Sequence, residues 1–241
     1  MAEQGALVTY LGTAPGVGKT YAMLVEGRRR TERGERVVVG WIERHGRAET
    51  RAQVGDLAIV APREVSYRGI TFVDLDVSAV IGSGADVVLV DELAHTRPDG
   101  ARRCWEDVAD IRAAGIDVLT TANVANLRSV RDYAARVSGA GAVECVPDEF
   151  VRSGEVVLVD VPPEVLRRRI VSGRVYETER VGGALAHYFR SANLEALGEL
   201  AHAWMADNVN DVGDEILLRS GFVEPQVRPL VLAGVSGSDW G

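Results

Sequence analysis

A glycine-rich segment near the N-terminus combines residue types and spacing that bind phosphate groups. It reads GTAPGVGKT over residues 12–20, between an apolar run and a helical pattern. Glycines at positions 16 and 18 let the backbone approach a polyphosphate closely, and the positive end of the following helix faces the same anion. Lys19 would place its ammonium between the β- and γ-phosphates, while the hydroxyl of Thr20 would coordinate Mg²⁺. The segment therefore predicts nucleotide binding through six residues: Gly16, Val17, Gly18, Lys19, Thr20 and Tyr21.

The spacing departs at one position from the strict phosphate-loop pattern, GxxxxGK[ST]. That pattern has a glycine where this chain has Thr13, and the chain's own glycine, Gly12, stands one place earlier. The alternative interpretation of the same residues is a glycine turn that caps a helix. A second motif elsewhere in the chain favours the phosphate loop.

That second motif is an apolar run followed by two carboxylates. Residues 87–90 read VVLV and are followed by Asp91 and Glu92. A carboxylate at the end of such a strand lies beside a phosphate loop, where Asp91 would hold the magnesium together with Thr20. Glu92 would orient or deprotonate an attacking water. The predicted metal ligands are therefore Thr20 and Asp91, and the candidate catalytic residues are Lys19 and Glu92.

The composition fits a nucleotide site better than a nucleic-acid surface. The formal charge of −8 and the pI near 5.1 argue against binding to nucleic acid. The 27 basic residues are 26 arginines and one lysine, Lys19. A planar guanidinium does not reproduce a compact ammonium between two phosphates, so the position that kept lysine is the one where the chemistry is least interchangeable.

The remaining composition predicts a soluble, cytoplasmic chain that requires no membrane contact. No apolar run approaches the roughly 20 residues that span a bilayer, and the N-terminus has no signal pattern. Cys104 and Cys145 have no metal-binding spacing, and we expect them to be buried and inert.

Short apolar runs alternate with helical segments, which predicts an α/β fold. The runs lack polar alternation, as is typical of strands buried on both faces of a parallel sheet. A phosphate-loop NTPase-type sheet covered by helices on both faces is therefore expected. The predicted strands are 6–11, 37–42, 87–90, 116–121 and 156–160, and the predicted helices between them include 20–33 and 102–114.

The pattern changes after residue 160. Helical segments at 164–171, 177–190 and 194–208 follow without an intervening strand, and residues 229–241 again resemble a strand. We therefore expect a nucleotide-binding core over 1–160 and a small helical subdomain over 161–225. The segment 226–241 would begin a further domain.

Polar residues after the predicted strands are further candidates, because ligands bind at the carboxyl edge of open α/β sheets. Each is as readily a loop hydrogen-bonder. The arginines at 167–169 are most simply a solvated helix face, with a phosphate clamp as the alternative. The strand-end candidates are Glu43, His45, Arg47, His95, Thr96 and Asn123.

Six blocks, taken in order, resemble the cytoplasmic N-terminal domain of the KdpD family, the potassium- and turgor-responsive sensor histidine kinases of bacteria. The resemblance covers roughly residues 5–205. Family members carry the same early-glycine version of the loop. This chain departs from the family's usual sequence at 97–103, 123–128 and 189–194. The blocks are GTAPGVGKTYAML, VVVGWIERHGRAET, VLVDELAHT, AGIDVLTTANV, VVLVDVPPE and GRVY.

The resemblance implies a regulatory domain that binds ATP and Mg²⁺. In the family such a domain precedes a universal-stress-like domain, membrane helices and a histidine-kinase core, and residues 226–241 resemble the first strand of the universal-stress-like domain. The implied partners are a nucleotide and an adjoining or separate sensor-kinase or universal-stress-like domain, and a homodimer is left open. We expect no histidine-kinase catalysis from this chain.

Two enzymatic alternatives remain open from the residues alone. A small-molecule or nucleoside kinase would need an acceptor pocket and an acid/base carboxylate, for which Glu43 is the candidate. A stand-alone ATPase would use Glu92 as the base and an arginine, Arg97 or Arg102, supplied across a dimer.

Overall fold

The computed structural model describes residues 4–42, 48–97, 99–138, 144–173, 185 and 188–220. Its centre is a six-stranded sheet in which every pairing is parallel. A separate antiparallel hairpin follows the third strand. In chain order the strands are β1 (Leu7–Gly12), β2 (Val37–Trp41), β3 (Ala58–Ile59), the hairpin strands β4 (Arg63–Tyr67) and β5 (Ile70–Asp74), β6 (Val87–Val90), β7 (Asp117–Asn123) and β8 (Glu155–Val159).

The strand order in the sheet is β3-β2-β6-β7-β1-β8. One strand, β7, thus separates β1, which leads into the glycine-rich loop, from β6, which leads into the Asp91–Glu92 pair. Since all six strands run the same way, the segments that follow them meet at one edge of the sheet. The predicted α/β fold with a parallel sheet between helices is confirmed.

Helices cover both faces of the sheet. In the described part of the chain they are α1 (Lys19–Glu32), α2 (Ala48–Val54), α3 (Val77–Gly82), α4 (Cys104–Ala113), α5 (Arg131–Ser138), α6 (Asp148–Arg152), α7 (Pro163–Val171) and α8 (Ser191–Ser220), with a 3-10 turn at Val124–Asn126.

Alternate side chains of the central strands pack into two different hydrophobic cores, one on each face of the sheet. Val8 and Tyr10 of β1 pack with Met23 and Leu24 of α1 on one face. The intervening positions face the opposite side, because successive strand side chains alternate. That second core joins β1 to α4 and α8, through Leu7, Leu11, Val108, Ile111, Leu197 and Trp204.

The five predicted strands and the helices at 20–33, 102–114 and 164–171 are all present, and none of their ends is shifted by more than two residues. The predicted helix at 194–208 lies inside the longer α8. The segment 177–190, apart from residues 185 and 188–190, and the segment 226–241 lie outside the described residues.

The strands between residues 58 and 74 were not predicted. The β4–β5 hairpin turns at Arg68 and Gly69, whose φ angles of 51° and 79° are both left-handed. Such a two-residue turn favours the twist of a hairpin and usually requires glycine. Within the described residues, no helix has the length and apolar character needed to cross a membrane.

Candidate functional site

The glycine-rich loop, residues 13–18, lies between the carboxyl end of β1 and the start of α1. Gly16 has φ 91° and Gly18 has φ 114°, a region that side-chain-bearing residues rarely occupy. Gly18 is also the residue from which α1 begins. The loop therefore turns sharply and presents the amino-terminal end of a 14-residue helix at the carboxyl edge of the sheet.

The side chain of Lys19 folds back over the end of β1 and is only 5% exposed. Its Nζ donates to the backbone oxygen of Ala14 at 3.3 Å and to Oδ1 of Asn123 at 2.6 Å. Asn123 is available because the β1–β7 register pairs it with Gly12. The ammonium is thereby held at the inner side of the loop by two neutral oxygens.

Gly12 explains the unusual spacing of the motif. A Cβ at this position would lie 2.6 Å from Cδ of Lys19 and 2.8 Å from Cγ2 of Val17. Real Cβ atoms essentially never lie within 3.0 Å of another side-chain atom. In a closely packed interior, a side chain at position 12 would therefore displace Lys19 and Val17. The early glycine is thus the surface on which the lysine stem lies.

Thr20 and Asp91 come together although 71 residues separate them in the chain. The hydroxyl of Thr20 donates to the two carboxylate oxygens of Asp91 at 3.0 and 3.1 Å. Thr121, one residue beyond the Thr120–Val90 pair of the β6–β7 register, donates to Oδ1 of the same carboxylate at 2.6 Å. This pairing of a hydroxyl with a carboxylate provides the hard oxygen ligands that Mg²⁺ prefers.

Among the described residues, no group of three or more His, Cys, Asp or Glu side chains could hold a metal. Two protein oxygens are nevertheless enough for Mg²⁺ bound with a nucleotide, because phosphate oxygens and water complete its octahedral shell. Thr20 and Asp91 therefore fit that role.

Glu92 has a backbone conformation that is uncommon for a residue with a side chain. Its φ is 58°, and its N–H donates to the hydroxyl of Thr121 at 3.0 Å. Such outliers persist where the surrounding structure holds them, and they concentrate at functional sites. This backbone conformation sets the direction in which the Glu92 side chain extends from the carboxyl edge of the sheet.

The structure also describes the surroundings of three other residues that the sequence suggested as candidates. Tyr21 lies on α1 with 47% of its surface exposed. The ring of His95 stacks on Trp41 at a centroid distance of 6.2 Å. The N–H of Thr96 donates to Glu144 at 2.7 Å. Three strand-end candidates lie outside the described residues: Glu43, His45 and Arg47.

Both arginines that were candidates for acting across a dimer are held by carboxylates of their own chain. Arg97 contacts Asp74 at 3.3 Å and Asp107 at 2.7 Å. Arg102 contacts the same Asp107 at 3.2 Å and Asp110 at 2.6 Å. These contacts give the two arginines a structural role in the described region.

The expectation of a solvated face at residues 167–169 is wrong for Arg169. Its Nη1 donates to the backbone oxygens of Gly16 at 3.2 Å and Val17 at 3.0 Å. Arg168 is exposed, whereas Arg167 donates to the backbone oxygen of Phe189. The sequence does not show which of these three arginines contacts the loop, because that depends on how α7 packs against it.

Asp160 is a further residue that the sequence did not single out. The register pairs Gly12 with Val159, so Thr13 and Asp160 follow neighbouring strands side by side. The Thr13 hydroxyl donates to Oδ1 of Asp160 at 2.9 Å. A carboxylate directly after a strand was the available signal.

The two cysteines are buried and free, as expected. Burial raises the pKa of the Cys104 thiol well above its ordinary value, and the nearby carboxylate of Asp107 adds to the effect. Because the thiolate is the reactive form, Cys104 is an inert core residue.

The fold and this sheet-edge site define an α/β protein with a parallel sheet and a glycine-rich loop at its carboxyl edge, and comparison with known proteins specifies the family. Residues 3–209 match the family model described as "KdpD: Osmosensitive K+ channel His kinase sensor domain". The chain belongs to this KdpD sensor-domain family.

Curated relatives are named "Sensor protein KdpD". The protein from Mycobacterium tuberculosis strain CDC 1551 is 49% identical over 208 residues, which cover 85% of this chain and 24% of the relative. The Escherichia coli K12 protein is 41% identical, covering 87% and 24%. The Clostridium acetobutylicum protein is 36% identical, covering 86% and 23%. The chain thus spans about a quarter of the length of these relatives.

Proposed function

We propose that this chain binds ATP with Mg²⁺ and serves as a regulatory domain of a KdpD-like sensor in bacterial potassium and turgor two-component signalling. The observation that carries the proposal is the convergence of Lys19, Thr20 and Asp91 at one edge of the sheet. The buried ammonium donates to the loop carbonyl of Ala14, and the Thr20 hydroxyl is 3.0 Å from the Asp91 carboxylate. A cation, a helix amino terminus and two magnesium ligands are together the elements of a phosphate-loop nucleotide site.

Each residue has a defined part in this proposal. Bound Mg²⁺ would neutralise charge on the phosphates, and Thr20 and Asp91 would hold it. The backbone amides of Gly16, Val17 and Gly18 would surround the phosphate, and Lys19 would balance its charge. The bound nucleotide would stabilise one arrangement of the loops at this edge, which an adjoining domain or a partner protein could distinguish.

A calorimetric titration of the chain with ATP, with Mg²⁺ and then with a chelator, tests the proposal. We expect saturable binding with an affinity in the micromolar range, about −8 kcal/mol, that weakens when Mg²⁺ is removed. The matched variant is Asp91→Asn, which keeps the size of the side chain and removes its charge; we expect it to lose the Mg²⁺ dependence. Failure of the native chain to bind ATP at millimolar concentration contradicts the proposal.

A regulatory role predicts binding without appreciable turnover. The native chain should release phosphate from ATP slowly or not at all, and Glu92→Gln should leave the ATP affinity unchanged because Glu92 is not assigned to ligand binding. Phosphate release that Glu92→Gln abolishes while binding survives would establish an ATPase instead. Stimulation of ATP consumption by a nucleoside or sugar would indicate a small-molecule kinase.

A further inference from the structure

We infer that Arg169 is a positioning residue that fixes the peptide groups of the glycine-rich loop and thereby couples α7 to nucleotide binding. The inference rests on the proposed ATP site and assigns it a residue remote in sequence. Arg169 lies more than 150 residues after the loop, and its Nη1 donates to two consecutive loop carbonyls, those of Gly16 at 3.2 Å and Val17 at 3.0 Å.

Trans peptide geometry gives these two hydrogen bonds a consequence for the loop. In a trans peptide the C=O of one residue and the N–H of the next point in opposite directions. Holding the carbonyls of Gly16 and Val17 toward α7 turns the N–H groups of Val17 and Gly18 away from α7. Successive amides that point to one side form an anion-binding concavity. Arg169 therefore stabilises from outside the orientation that a phosphate needs inside.

The helix that carries Arg169 is fixed on the loop by apolar contacts. Leu166 and Ile170 of α7 belong to one buried cluster with Ala14 and Val17 of the loop. These α7 positions flank Arg169, so the helix backbone is set before the guanidinium makes its bonds. Because the planar guanidinium presents its donors in a fixed fork, little side-chain entropy is lost per hydrogen bond that it forms.

A second contact from the same segment holds the other end of the loop. Thr13 donates to Oδ1 of Asp160, and that oxygen also accepts the N–H of Val161 at 2.8 Å. Residues 160–169 thus hold the loop at its first residue, Thr13, and at the carbonyls of Gly16 and Val17. Because the loop has little regular structure of its own, its conformation depends on this segment.

Coupling between two sites is reciprocal. If the position of α7 favours the phosphate-binding form of the loop, then bound nucleotide must favour that position of α7. Among the described elements α7 also contacts α8. Displacement of α7 by a neighbouring domain would therefore change nucleotide affinity, and nucleotide would change the stability of α7 on the loop.

The test compares three variants in calorimetric titrations with ATP and Mg²⁺. Arg169→Ala removes both hydrogen bonds, and we expect about tenfold weaker binding, which corresponds to about 1.4 kcal/mol. Arg169→Lys keeps the charge and one donor group, and it should give an intermediate affinity. Arg168→Ala is the matched control: it removes an exposed arginine from the adjacent position and should bind within about twofold of the native chain, as expected for surface charge.

Hydrogen exchange distinguishes coupling from a purely structural role of Arg169. A purely structural role would not change how much bound ATP slows the exchange of α7 amides. Adding ATP and Mg²⁺ should slow exchange of α7 amides in the native chain and in Arg168→Ala, but much less in Arg169→Ala at saturating ATP. Equal effects of Arg168→Ala and Arg169→Ala on affinity would overturn the inference, since they would indicate net charge alone. Native affinity in Arg169→Lys or Arg169→Ala would also overturn it. If Arg169→Ala does not fold, Arg169→Lys decides.

The outcome separates this inference from the proposed function. If the native chain fails to bind ATP, the proposed function fails and the inference loses its basis. If the native chain binds, Lys19→Met abolishes binding and Arg169→Ala binds normally, only the inference about Arg169 fails.

Discussion

Replacing Lys19 by methionine should weaken ATP binding at least about 100-fold, which corresponds to about 2.7 kcal/mol. The ammonium is buried at 5% exposure, where its charge acts on a bound phosphate with little screening by water. Two of its acceptors, the Ala14 carbonyl and the Asn123 amide oxygen, are neutral, and a phosphate would offer the ammonium a stronger, charge-assisted bond than either of these. Titration calorimetry with ATP and Mg²⁺ measures the loss.

Methionine is the informative replacement because it keeps most of the apolar stem that lies over Gly12. The thermal midpoint without nucleotide should therefore change much less than the ATP affinity. Lys19→Arg is the second variant: the stem is confined against Gly12, and a planar guanidinium needs more room than an ammonium. We expect it to bind poorly as well. Native affinity in Lys19→Met would remove the lysine, and with it the loop, from the proposed site.

The local parts of this site could be predicted from the sequence. The loop, Lys19, Thr20 and the Asp91–Glu92 pair each follow a short apolar run, and their chemistry depends on neighbours within a few residues. The position of the glycine was interpreted as a departure from the strict pattern. Its reason, the lysine stem lying on Gly12, depends on a side-chain direction that spacing does not specify.

The partners of these residues could not be predicted, because they depend on the order of strands in the sheet. Asn123 and Thr121 reach Lys19 and Asp91 since β7 lies between β1 and β6. Arg169 and Asp160 reach the loop since β8 lies on its other side. Local periodicity identifies strands, but it does not determine which strands become neighbours.

The region between residues 58 and 74 was missed for a related reason. β3 has only two residues, both exposed, and β4 alternates between exposed and half-buried positions. Neither has the continuous apolar run that identifies a central strand. Arg68 at the left-handed turn also replaces the Asn or Asp that marks most such hairpins.

Arg97→Ala should lower the free energy of unfolding by about 3 kcal/mol. The Arg97 side chain is 11% exposed and lies between the carboxylates of Asp74 and Asp107, which are 4% and 2% exposed. Removing it takes one counter-ion away from each of these two buried carboxylates. Arg102 still contacts Asp107 at 3.2 Å, which keeps the loss below the upper range for a broken buried pair. Urea unfolding followed by circular dichroism measures the change.

The matched control is Arg102→Ala, which removes a second arginine from the same Asp107. The Arg102 side chain is 37% exposed, so water screens its charge, and we expect its removal to cost about 1 kcal/mol. Adding Asp107→Asn to Arg97→Ala should recover part of the lost stability, because it neutralises a carboxylate left without Arg97. Equal losses in Arg97→Ala and Arg102→Ala would mean that burial does not determine the strength of these pairs.

The loss caused by Arg97→Ala should also depend on pH in a defined direction. Burial raises the pKa of Asp107 above its ordinary value, and the charges of Arg97 and Arg102 partly oppose that rise. A carboxyl whose pKa is raised on folding stabilises the fold below its unfolded pKa and loses that contribution as pH rises through the folded pKa. Removing Arg97 raises the pKa of Asp107 further, so the difference between variant and native chain should be smallest in acidic buffer and should increase toward neutral pH. A difference that increased on acidification would contradict the assignment of Arg97 as the counter-ion of Asp107.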